Sequence, residues 1–154
     1  MVLQELLKAN TIRTDIGQLD KWTAIERLAD LIVDSGKATD RAALLDAILN
    51  REKQGSTGLG NGIAIPHART DGVRDVAVAL GVSASGMDFD SADGKPCHLI
   101  FLIAAPPHES TRYLEALAAV ASLGERASLV AQLKSVRSVD DALAFFKSYR
   151  KQSE

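Results

Sequence analysis

The run Leu99–Ala105, LIFLIAA, contains no polar side chain. Successive side chains of a strand point to opposite faces. A strand built from this run is therefore apolar on both sides and needs cover on both. A partner strand is expected just upstream, where Val76, Val78, Leu80 and Val82 alternate with small residues in VAVALGVSA. Asp93-Gly94 supplies a turn signal between the two. Helical patterns lie on either side of this strand-rich middle. Trp22, Ile25, Leu28, Ala29, Ile32 and Val33 recur at helical spacing, with Asp20 as N-cap and Gly36 as stop. A second helix is expected from about Asp40 to Asn50, turning Leu44, Leu45, Ile48 and Leu49 inward. Downstream, Leu114, Leu117, Val120 and Ala121 mark one helix, and Leu129, Val130 and Leu133 a shorter one. A last helix opens on the capping-box pattern Ser138 and Asp141 and buries Val139, Ala142, Leu143 and Phe146. Lys147, Arg150 and Lys151 gather at its C-terminal end, where the helix dipole favours positive charge. Trp22, Phe145 and Phe146 take core positions. The expected architecture is α/β, a sheet with helices on both faces, as a single domain over residues 1–154.

Charge and cysteine content narrow the function classes. The net charge is −2 and the Lys and Arg residues are dispersed, which argues against a nucleic-acid binder. One cysteine, Cys97, excludes an intramolecular disulfide and suits a reducing compartment. The N-terminus has no signal-peptide pattern, and no apolar run approaches the roughly 20 residues of a membrane span. A cytoplasmic protein is expected. His67, His98 and His108 with Cys97 lack the spacings that place two ligands on one ion, so no metal and no cofactor is expected. Cys97 reads as a buried structural thiol.

The segment STGLGNGIAIPHARTDG, Ser56–Gly72, carries the candidate chemistry. Gly58, Gly60 and Gly62 do not match the Rossmann G-x-G-x-x-G spacing, and Ile63-Ala64 stands where a Walker A loop needs Lys-Ser/Thr. Two readings remain open, an ordinary loop and a backbone cradle for a phosphoryl group. In the second, the Ser56 and Thr57 hydroxyls, the backbone at Gly60 and the Asn61 amide add donors. Pro66 then leads rigidly to His67. A neutral imidazole can accept a phosphoryl group, and an unperturbed pKa of about 6.5 makes it mostly neutral in the cytoplasm. Arg51, sixteen positions upstream at the end of the expected helix, is a candidate to neutralise phosphoryl charge.

From Asn50 to Arg69, NREKQGSTGLGNGIAIPHAR resembles the active-site segment of the enzyme IIA domains of the bacterial phosphotransferase system. It is similar to the fructose/mannitol class and its nitrogen-regulatory branch. DFDSADGKPCHLIFLIAAP and the helix beginning near RYLEALAAVASL extend the likeness over nearly the whole chain. The resemblance implies a mixed sheet flanked by helices and a histidine phosphocarrier. His67 would take a phosphoryl group on Nε2 from an HPr-type donor, and Arg51 would lie beside it. The protein would then regulate partners through its phosphorylation state, or pass the group to a fructose/mannitol IIB partner. At Tyr113 the sequence departs from the family, which usually has a second histidine there. A tyrosine brings a hydrogen-bond donor without positive charge, which leaves open a degenerate, unphosphorylated binding module. His108, five residues earlier, reads as a solvated loop residue.

Overall fold

The two long apolar segments pair with each other. β5 (Ala77–Met87) runs antiparallel to β6 (Cys97–Ala105), with Ala77 opposite Ala104 and Leu80 opposite Phe101. The computed structural model describes residues 2–153, with side chains through Tyr149. Alternation along these strands divides the interior in two. Val78, Leu80 and Val82 with Leu99, Phe101 and Ile103 face one core, while Ala77, Ala79, Ile100, Leu102 and Ala104 face the other.

The first core is closed by α1 (Val2–Leu6), α4 (Ser110–Gly124), α5 (Ala127–Lys134) and α6 (Val139–Ser153). The second is closed by α2 (Lys21–Asp34) and α3 (Arg41–Lys53). Asp20 and Asp40 cap these two helices through the backbone N–H groups of Thr23 and Ala43. Three layers result, because β6 offers water no polar face. The sheet is completed by β1 (Ile12–Arg13), β2 (Gly58–Gly60), β3 (Ile63–Ala64) and β4 (His67–Arg69). Its order is β1-β5-β6-β3-β2, with β4 also on β6. β1 is parallel to β5, β3 and β4 are parallel to β6, and β2 is antiparallel to β3, so the sheet is mixed.

Several local expectations change. Trp22, expected in the core, is 41% exposed, and Leu114, one of the residues that mark α4, is 55% exposed. On α2, Lys21 is buried in place of Trp22. On α4 the buried stripe is Tyr113, Ala116, Val120 and Leu123, rotated away from Leu114 and Ala121. α3 runs on to Lys53, which places Arg51 in its last turn. At α6, Ser138 Oγ accepts from the Asp141 N–H at 3.1 Å, and Phe145 and Phe146 are buried. The side chains of Arg150 and Lys151 lie outside the described residues. α1 was not anticipated.

Candidate active site

β3 and β4 follow one another along the same side of β6, interrupted at Ile65-Pro66. Proline has no N–H to give a ladder, but the Pro66 carbonyl still accepts from the Ile103 N–H at 3.0 Å. The chain therefore stays against β6 and delivers His67 opposite Ile103. His67 Nδ1 lies 2.6 Å from the Ile65 carbonyl oxygen. A carbonyl can only accept, so Nδ1 carries a proton, and in the neutral ring the lone pair is on Nε2. The ring is half-buried.

One ring lies beside it, and two cations lie near that ring. Tyr113, buried in the first core, places its ring centroid 6.3 Å from that of His67 at a 53° tilt. Arg69 sits two residues along β4 from His67, hence on the same face of the strand. Its guanidinium lies 5.1 Å from the Tyr113 ring centroid. Arg51 comes from the last turn of α3, its Nη1 donating to the Gly55 carbonyl at 2.9 Å. Burial raises the Tyr113 phenol above its usual pKa, against the opposing charges of Arg69 and Arg51. The phenol is therefore protonated at neutral pH and able to donate. Sequence reasoning missed Arg69, and the period-2 rule of a strand was the signal that pointed to it.

The donors assigned to the glycine segment go largely elsewhere. Thr57 Oγ1 and N–H donate to the buried Glu52 carboxylate, at 2.5 and 2.9 Å, and Lys21 Nζ lies 3.0 Å from the same group. Ser56 Oγ donates to the Phe89 carbonyl at 2.7 Å and accepts from the Gly58 N–H. These contacts anchor the loop, and they occupy the hydroxyls proposed for phosphoryl binding. Gly60, Asn61 and Gly62 form the tip of the β2–β3 hairpin, all at positive φ. Asn61 Nδ2 donates to the Gly124 carbonyl at 3.2 Å. In the β6 register the tip lies beside Leu99, four residues or roughly 13 Å from Ile103 and His67. Gly60 and Asn61 are thus not brought to the imidazole. Gly58 is needed for close approach, since a Cβ there would meet Ser91 Cα at 2.8 Å. His98 is held at the hairpin end through Nδ1 on the Ser83 carbonyl, and His108 is exposed. Cys97 is buried and its thiol is pushed up to about 12 by that burial.

Residues 5–149 match the family model described as phosphoenolpyruvate-dependent sugar phosphotransferase system, EIIA 2. The chain is 40% identical over 151 residues to the fructose-specific EIIABC component of Bacillus subtilis. That alignment covers 98% of this chain but spans only 24% of that relative. It is 32% identical to the nitrogen regulatory protein of Pseudomonas aeruginosa, with 86% of each chain covered. The crystal structure of nitrogen regulatory protein IIA-Ntr from Neisseria meningitidis superposes with a TM-score of 0.85 at 31% identity, covering 94% of this chain and 99% of that one. No helix among the described residues is long and apolar enough to cross a membrane. Its EIIA 2 match and these relatives show that the chain belongs to the IIA components of the phosphotransferase system, a family of phosphotransfer proteins.

Proposed function

We propose that this protein carries a phosphoryl group on His67 Nε2, received from an HPr-type donor, and regulates a partner through its phosphorylation state. The observation that carries the proposal is the Nδ1–H donated to the Ile65 carbonyl. It leaves Nε2 unprotonated without needing a base. In the transfer, the donor's N–P bond breaks and its nitrogen keeps the electron pair. The Nε2 lone pair forms the new P–N bond while the proton stays on Nδ1. No proton has to move, so catalysis reduces to alignment, charge neutralisation and exclusion of water.

The surroundings fit those needs. Arg51 offers charge to the phosphoryl oxygens and Tyr113 offers a hydroxyl. Leu114 and Leu59, 55% and 47% exposed, with Ala121 beside Leu59, give an apolar border suited to a small donor protein. Regulation follows from electrostatics, since phosphorylation adds a charge of about −2 at one surface point. A second reading, in which the group moves on to a IIB-type partner during sugar uptake, is favoured by the 40% identity to the fructose-specific relative.

The test is incubation with labelled phosphoenolpyruvate and a reconstituted donor chain. Acid-labile, alkali-stable label is expected on the wild type and absent in His67→Ala. Arg51→Ala is expected to slow labelling by about tenfold to a hundredfold without unfolding the protein. An unlabelled wild type refutes the proposal in favour of a degenerate binding module. Rapid loss of label to an added IIB domain, with no partner distinguishing the two phosphorylation states, selects the second reading.

A further inference from the structure

Arg69 is a cation beside a nucleophile with no anion to balance it. Among the described residues its guanidinium has no ion pair and no hydrogen bond; its one contact is the face of Tyr113. The Tyr113 ring is close to both groups, 5.1 Å from the guanidinium and 6.3 Å from the imidazole. A surface arginine that pairs only with an aromatic ring keeps its planar donor fork unused. Glu52 does not answer this charge, because both its oxygens are taken by Lys21 and Thr57. The Arg51 guanidinium is likewise bonded only to a neutral carbonyl. Two cations near Tyr113 thus have no ion pair among the described residues, an imbalance that a dianionic phosphoryl group on the neighbouring His67 would offset.

We propose that Arg69 is a phosphoryl-binding residue, held ready on the Tyr113 ring and donating to the phosphoryl oxygens once His67 is modified. The proposal rests on the phosphocarrier reading above. Arg69 forms no covalent bond and gives up no proton; it contributes charge-assisted hydrogen bonds to oxygens whose charge is concentrated during transfer. Tyr113 is the positioning residue. Its buried ring fixes where a long, flexible and exposed side chain waits, which reduces the ordering needed when the phosphoryl group arrives.

Two readouts test this, the labelling rate and the ³¹P titration of phosphorylated His67. A nearby cation favours the dianion and lowers its last pKa. In Arg69→Ala the labelling rate is expected to fall about tenfold or more. The phosphoryl group should then titrate about one pH unit higher, with thermal stability unchanged. Arg69→Lys should recover much of the titration and less of the rate, because it keeps the charge and loses the fork. Tyr113→Phe, which loses the hydroxyl but keeps the ring, should move the titration less than Tyr113→Leu, which should approach Arg69→Ala. A wild-type rate and titration in Arg69→Ala overturn the role of Arg69 while leaving the phosphocarrier reading intact. Identical behaviour of the Phe and Leu variants overturns the platform role of Tyr113. If the wild type takes no label on His67, both readings fall together.

Discussion

Arg51 and Glu52 are neighbours in the chain with opposite tasks. Arg51, in the last turn of α3, donates to the Gly55 carbonyl, while Glu52 is buried with a carboxylate bonded by Lys21 Nζ and twice by Thr57. A buried charge is tolerated only when paired and hydrogen-bonded, and this one meets both conditions. The network ties the entry of the glycine segment to the start of α2, so the position of Arg51 depends on it. Glu52→Ala would strand the Lys21 ammonium, itself buried, with only the exposed Asp90 at 3.3 Å. It would also leave the buried Thr57 donors without their acceptor. Removing one partner of such a pair costs about 3–5 kcal/mol, and urea unfolding of Glu52→Ala is expected to show a loss of that size. A loss below about 1 kcal/mol would mean that water replaces the carboxylate and that the loop is held elsewhere.

At the level of elements, α4 separates what spacing reveals from what it does not. Its apolar residues recur along the whole length, so both Leu114-Leu117-Ala121 and Tyr113-Ala116-Val120 look like faces to bury. Contact with β6 selects the second, and Leu114 is left outward. Leu114→Ser is therefore expected to alter stability by no more than about 0.5 kcal/mol. Leu123→Ala, which opens a cavity in the first core, should cost about 2–5 kcal/mol in the same urea titrations. The comparison explains how much could be read in advance. The layers were legible because LIFLIAA has no polar face and the helices around it have a period. His67 and Arg51 stand out as candidates because their sequence context is local and specific. The burial of Lys21 in place of Trp22 at the start of α2 was not legible, because its partner Glu52 lies 31 residues away. Ser56, Thr57 and Asn61 looked like free donors because their acceptors, Phe89, Glu52 and Gly124, are brought to them only by folding.

For the molecule as a whole, Cys97 links an ionisation to global stability. It opens β6 at an irregular point, where the Gly62 carbonyl accepts from both His98 and Leu99 N–H groups at 2.8 and 2.9 Å. That doubling shifts the strand phase and turns Cys97 into the second core, with Ala64 and Ile100. Its Sγ lies 3.3 Å from the Leu99 carbonyl and 3.4 Å from that of Gly62. Burial disfavours the thiolate and raises the thiol from 9.0 to about 12, the Leu99 backbone opposing it and the Asp93 charge adding to it. The folded protein thus keeps a proton that the unfolded chain releases near pH 9. Below that pH both states are protonated and the thiol contributes no slope. Between pH 9 and about 12 the unfolded state binds fewer protons, so stability falls as pH rises, by at most about 1.4 kcal/mol per pH unit. Because β6 is covered by both helical layers, thiolate formation requires opening the structure to water. Lysines and tyrosines titrate in the same range, but they do so equally in Cys97→Ala. The difference in unfolding free energy between wild type and Cys97→Ala is therefore the quantity to follow from pH 7 to 10.5. It should be constant up to about pH 8.5 and then move steadily against the wild type. A difference that stays flat to pH 10.5 would mean that the thiolate is accommodated in the folded state, and that the start of β6 is open to solvent.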